Sequence, residues 1–271
     1  MKHVVITGAT SGIGEQLARD YARQGWQVTA CGRNQDKLAA LANDHASLTP
    51  LAFDATDSDQ THQALGSLSM APDLIILNAG TCEYLDQGRI DVSLFKRVFD
   101  INVFGVLNCI EALQAGFNDT THLAIVGSSA SYMPLPRAEA YGASKAAISY
   151  IANTLSADLA QQGVTVSLVS PGFVETPLTD KNDFAMPMRV SVKQASAAIQ
   201  SGLAKGKTEV HFPRKFTFIL KFFSATAHVL ADSPCSTYDK EINHENCHYW
   251  LGHCRINLRS LSQQATQYSV V

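Results

Sequence analysis

The segment Tyr141-Gly142-Ala143-Ser144-Lys145 sets a phenol and an ammonium four residues apart, on one face of a helix. A free tyrosine, with a pKa of about 10, exchanges protons poorly at neutral pH, and a cation held beside it favours the phenolate. The pairing makes Tyr141 a candidate proton donor and acceptor in the working pH range. Upstream, Gly127-Ser128-Ser129-Ala130 follows an apolar run, and a serine hydroxyl there can hydrogen-bond a substrate oxygen and steady developing alkoxide charge. Taken alone, Tyr-x3-Lys is commonest as a solvated pair on a helix surface, so its meaning depends on the rest of the chain.

A second constellation lies at the start. Thr7-Gly8-Ala9-Thr10-Ser11-Gly12-Ile13-Gly14 follows an apolar strand and opens a helix, the context in which glycine spacing signals a dinucleotide site. Gly8 permits a sharp turn, Gly12 a close approach to pyrophosphate, and Gly14 tight packing of helix on strand. The phosphates then meet free N–H groups at the positive helix end, beside Thr10, Ser11 and Ile13. At the end of the second strand, where an NAD-selective site places a carboxylate, the chain reads Cys31-Gly32-Arg33-Asn34. Arg33 offers a planar cationic fork suited to a ribose 2′-phosphate, so the expected cofactor is NADP(H) in preference to NAD(H).

These residues need a sheet to place them. Short β-branched runs alternate with helical periods, predicting an α/β, doubly wound, Rossmann-type parallel sheet of about seven strands with helices on both faces. Strands are expected at Val4–Thr7, Gln27–Cys31, Thr49–Phe53, Leu74–Leu77, His122–Val126, Val164–Val169 and Glu209–Phe212. Helices are expected at Ile13–Gln24, Gln35–Asn43, Asp57–Leu65, Ser93–Phe117, Glu139–Gln162 and Val192–Ala204. Phe173–Arg189 has no period and reads as a loop over the active-site edge. The apolar run Phe216–Ala231 is broken by Lys221 and reads as a core or substrate-side helix, too short to span a membrane.

Glycine spacing G-x3-G-x-G after the first strand, Asn78-Ala79-Gly80 after the fourth, and Tyr141-x3-Lys145 beyond the fifth together resemble the short-chain dehydrogenase/reductase family. The resemblance covers most of residues 1–176. It implies that Tyr141 is the general acid/base and that Lys145 also binds the nicotinamide ribose. A serine separated from the tyrosine by thirteen residues is Ser128; alignment on the second serine of the pair would select Ser129. It further implies that Asp54 contacts the adenine amino group, Asn78 steadies the sheet beside the cofactor, and Asn102 holds a water linking Lys145 to solvent. Pro171, Gly172, Phe173, Val174 and Thr176 match the segment whose backbone and hydroxyl meet the carboxamide and phosphates.

Composition agrees with such an enzyme. The chain has 271 residues, 46% hydrophobic, with a formal charge of -3, so it lacks the basic field of nucleic-acid or anionic-membrane binders. One domain is expected over residues 1–231, including a substrate loop at 173–190. Residues 232–271 read as an atypical extension, helical or partly disordered. There His244 and His248 share a helical face, but paired Cys-x2-Cys spacing is missing and no metal is expected. A disulfide among Cys235, Cys247 and Cys254 would need an oxidant. Cys31, Cys82 and Cys109 sit singly in apolar segments, which with a strand starting at the N-terminus points to a cytoplasmic protein without a leader. Partners are then a small carbonyl or alcohol substrate and other copies of the chain, as a homodimer or homotetramer. The competing reading is a catalytically idle NADP(H)-binding sensor, which would have no need of Ser128, Tyr141 and Lys145 together.

Overall fold

The computed structural model describes residues 1–231, with side chains through Ser224. Met1–Leu230 form one compact unit. The residues proposed above for zinc or disulfide chemistry lie outside the described residues.

Seven strands form one parallel sheet: β1 (His3–Thr7), β2 (Gln27–Gly32), β3 (Leu48–Ala52), β4 (Leu74–Leu77), β5 (His122–Val126), β6 (Thr165–Pro171) and β7 (Glu209–Phe212). Their spatial order is β3-β2-β1-β4-β5-β6-β7. The order reverses between β1 and β4, and a crevice opens there beyond the carboxyl ends of the strands. Alternate side chains of each central strand enter opposite cores. Val4 and Ile6 of β1 join Ile76 and Ala124 in one cluster, while Val5 joins Ile75, Leu77, Leu123 and Ile125 in the other. Both faces are therefore apolar, which is why these strands read as continuous hydrophobic runs.

The first cluster is closed by α1 (Gly12–Arg23), α2 (Gln35–Asn43) and α7 (Val192–Leu203). The second is closed by α3 (Ser58–Gly66), α5 (Gly105–Leu113) and α6 (Glu139–Leu159). Starts are fixed by side chains. Asn34, Asp57 and Asp91 accept N–H bonds at the heads of α2, α3 and α4 (Val92–Phe99), and Ser191 with Gln194 forms a reciprocal capping box on α7.

The single helix expected over Ser93–Phe117 is divided. A π-helical turn, Asp100–Phe104, separates α4 from α5, and a 3-10 turn at Gln114–Gly116 ends the run. Val92–Gly116 is long and apolar enough to cross a membrane by length and composition, and its inner side packs into the second core through Val103, Val106, Cys109, Ile110 and Leu113. The sixth strand runs two residues beyond its expected end because Pro171 still pairs with Phe212. Within the expected loop, Val174 and Val190 form a parallel bridge and Thr179–Lys181 a 3-10 turn. The apolar run expected as a helix lies in α8 (Arg214–Ala231).

Candidate active site

At the head of α1, the loop from Gly8 to Gly12 is built for close approach. Gly8 and Gly12 adopt φ of +67° and +57°, the left-handed region that glycine enters without cost. A Cβ on Gly14 would stand 2.3 Å from the Gly8 carbonyl oxygen, and one on Gly12 would stand 3.0 Å from the Thr176 methyl. Thr7 accepts the N–H groups of Asn78 and Ala79 through Oγ1, at 3.0 and 3.1 Å, and Asn78 Nδ2 donates back to the Thr7 carbonyl. The ends of β1 and β4 are thus tied at the reversal of strand order. Unlike the other N-caps named above, Ser11 makes no side-chain bond to its helix. The first N–H groups of α1 thus receive no acceptor from the Ser11 side chain.

A cleft of about 340 Å³ opens here. It is lined by Gly8, Thr10, Ser11, Gly12, Ile13, Arg33, Asp54, Asn78, Ala79, Gly80 and Thr176, all expected cofactor contacts. Gly14 lies behind Gly8. Pro171, Gly172 and Val174 do not line it: Pro171 pairs with Phe212 in β7, Gly172 donates to the Phe212 carbonyl, and Val174 pairs with Val190. Thr56, Thr81, Ile101, Pro177 and Leu178 also line the cleft and were not anticipated. Thr81 and Pro177 directly follow recognised motifs, the one signal that could have found them.

At the far end, Arg33 is largely exposed and stands 3.6 Å from the Asp54 carboxylate. Gly32 lets Thr10 approach, since a Cβ there would lie 2.7 Å from its methyl group. Burial opposes ionisation of Asp54, but bonds from the Thr56 N–H and hydroxyl, with Arg33 beside them, hold its carboxyl below the usual range. Asn34, the next polar residue, is occupied capping α2.

Tyr141 and Lys145, also expected to meet the cofactor, and Ser128 do not line the cleft; Lys145 stands just behind Gly80. Ser128 caps a short 3-10 turn, Ser129–Ser131, and its hydroxyl accepts the Ala130 N–H at 3.1 Å. It also stands close enough to the Tyr141 side chain to draw its pKa down. Ser129, inside the turn, is buried. Lys145 is buried on α6, its ammonium donating to the Val126 carbonyl at 2.9 Å and lying 6.0 Å from the Tyr141 ring centre. Burial lowers its pKa to about 8.

Burial, and then the neighbouring Cys82, push the pKa of Tyr141 up to about 12, while Ser128 draws it down. The Lys145 ammonium is turned to the β5 carbonyl of Val126. Cys82 and Tyr84 lie close to each other here and were missed because neither belongs to a recognisable spacing.

Asn102 sits in the π-helical turn and is fully buried. Its oxygen accepts the Thr81 N–H at 2.8 Å, while Nδ2 donates to the Thr81 carbonyl and to Ser144 Oγ. The extra residue per turn swings this side chain inward, a recurrent use of π-bulges at functional sites. Gly80 keeps the space between Asn102 and Lys145 open, since a Cβ on it would lie 3.2 Å from the one and 3.5 Å from the other.

Known proteins share this arrangement. The short chain dehydrogenase profile matches residues 2–186. An uncharacterized oxidoreductase of Myxococcus xanthus is 33% identical over 218 residues, 77% of this chain and 86% of that protein. The chain belongs to the short-chain dehydrogenase family. A sulfoacetaldehyde reductase of Chromohalobacter salexigens is 34% identical over 186 residues, 65% of this chain and 74% of its own. The closed form of a serine dehydrogenase complexed with NADP+ shares the fold at 22% identity, with a TM-score of 0.72 over 90% of this chain and all of that one. This short-chain dehydrogenase is accordingly an oxidoreductase of alcohol and carbonyl groups that uses a nicotinamide cofactor.

Proposed function

We propose that the protein is an NADP(H)-dependent oxidoreductase that interconverts a carbonyl and a secondary alcohol, with Tyr141 as general acid and base. The observation that carries the reading is buried Lys145 on the same helix face as Tyr141, its ammonium 6.0 Å from the tyrosine ring centre and bonded to the Val126 carbonyl two residues before Ser128. The glycine cradle, which side chains would fill, suits the pyrophosphate, and the uncapped head of α1 suits its charge. Arg33, with no acid at the end of β2, supports the 2′-phosphate.

When bound, the nicotinamide supplies or accepts the hydride. Tyr141 donates its phenolic proton to the carbonyl oxygen in reduction and takes it back in oxidation. Ser128 holds that oxygen by a hydrogen bond, which strengthens as alkoxide charge develops. Lys145 contributes a cation 6.0 Å from the Tyr141 ring centre and would also hold the cofactor ribose. Asn102, through Thr81, keeps the floor of the site from shifting. The catalytic domain in this reading is residues 1–231, acting in a homo-oligomer and in a reducing cytoplasm that leaves Cys31, Cys82 and Cys109 as free thiols.

A panel of aldehydes and ketones assayed with NADPH and with NADH separately tests this. Turnover with NADPH and a lower kcat/KM with NADH is expected. Binding of NADPH with no turnover on any substrate would replace the enzyme by the sensor.

A further inference from the structure

The approach to Tyr141 is walled by aromatic rings from three separate segments. Tyr84 stands edge-on to Phe184, with centroids 5.5 Å apart and planes at 90°. Phe184 meets Phe173 at 6.1 Å, and Phe173 meets Phe216 of α8 at 5.5 Å. Leu85, next to Tyr84, donates its N–H to the carbonyl of Arg137, which lies four residues before Tyr141 at the head of α6. The wall therefore lies beside the turn that carries Tyr141, and its faces are ring carbon.

The cation set against this wall is not free. Arg137 places its guanidinium 5.7 Å from the Tyr84 ring centre. Its two terminal nitrogens are held by Asp86 at 2.9 Å and by Asp183 at 2.8 Å. Its backbone is held too. The Arg137 carbonyl accepts the Leu85 N–H at 2.9 Å, and the residue sits at φ +67°, a left-handed conformation that a non-glycine residue keeps only when its surroundings enforce it. The group thus carries one positive and two negative charges. A second loop cation, Arg189, is bound to Asp180 and Thr179.

Resting on the oxidoreductase reading above, we propose that the substrate is an uncharged carbonyl compound borne on an apolar, preferably aryl, group, and that the Asp86–Arg137–Asp183 cluster turns away carboxylates and sulfonates. An apolar group is dehydrated against Tyr84 and Phe184, which favours it. An anion at the same place would lose water, find Arg137 already neutralised, and meet the surplus carboxylate charge. Selection against anions is then built from repulsion as well as from the apolar contacts. It separates this chain from the relative named for sulfoacetaldehyde, whose substrate is a sulfonate.

The test is equilibrium binding to the NADPH-saturated protein, a dead-end complex that needs no turnover. Calorimetry compares para-methylbenzyl alcohol with para-(hydroxymethyl)benzoate, which differ in the remote group. The neutral alcohol should bind at least about tenfold tighter, the scale on which apolar pockets discriminate. In Asp86→Asn/Asp183→Asn, at two exposed positions, Arg137 is released and the ratio should fall by roughly fivefold or more. Equal binding of the two alcohols, binding of neither, or a ratio that the double variant leaves unchanged would overturn the proposal. Reduction of the matching neutral aldehyde is measured in parallel. If the alcohol binds selectively but the aldehyde is not reduced, the oxidoreductase reading fails while the specificity assignment stands.

Discussion

At the residue scale, the proposed chemistry turns on two groups whose ionised forms burial disfavours. Tyr141 is held as the neutral phenol, and Lys145, lowered to about 8, still carries its proton at neutral pH. For Lys145 the sign is determined by burial. Its folded pKa of about 8 lies below its ordinary 10.5, so between those values the unfolded chain holds a proton that the folded protein has lost. Stability therefore rises with pH in that window. Cys31 and Cys109, buried with raised pKa values, act in the opposite direction at higher pH, so the effect is isolated by difference. Relative to Lys145→Met, the cofactor-free wild type should gain about 1.4 kcal/mol per pH unit through the window. Denaturant titrations across pH would show it, and a flat difference would place Lys145 in water. For Arg33, whose carboxylate partner is 3.6 Å away in a solvent-exposed pair, little is lost by turning to a phosphate. Arg33→Ala should weaken NADPH binding about 10- to 100-fold, the scale of one charge-assisted contact, and leave NADH nearly unchanged. Equal losses for the two would remove Arg33 from cofactor choice.

At the element scale, the site depends on how closely α1, β4 and the π-helical turn approach one another. Gly14 is the tightest point, because a methyl group would sit 2.3 Å from a backbone carbonyl that cannot rotate away. Gly14→Ala should cost about 1–3 kcal/mol of stability through overpacking, and it should abolish NADPH binding because the cradle opens. Thermal melts with and without NADPH check both. A variant that retains both stability and binding would contradict the close approach. Much of this was legible in the sequence. The glycine spacing and the unbroken apolar β4 are local signals, and local signals survive into the fold. The π-helical turn was not legible, since Asp100–Phe104 carries ordinary helix formers. Its extra residue is fixed by a long-range bond from Asn102 to Thr81, twenty-one positions away. For the same reason the aromatic wall went unseen: Tyr84, Phe173, Phe184 and Phe216 meet only after two loops and α8 converge.

At the scale of the whole molecule, the reversal of strand order between β1 and β4 places the cradle beside the end of β5, where Ser128 stands. The cradle and Ser128 are thus positioned by different strands of one sheet, and Tyr141 by α6 packed on it. The two cores on its faces, closed by α1, α2 and α7 on one side and α3, α5 and α6 on the other, resist any shift between them. Binding and proton transfer should therefore be separable by mutation, and the sharpest separation is at the Tyr141 hydroxyl. Replacing Tyr141 by Phe removes one oxygen from a half-buried side chain. With a substrate that the wild type reduces, kcat should fall by about a thousandfold, within the range for loss of a general acid, while the Kd for NADPH stays within about threefold, an order-of-magnitude allowance for a site left intact. A folded, NADPH-binding Tyr141→Phe protein that keeps near-wild-type turnover would contradict the account.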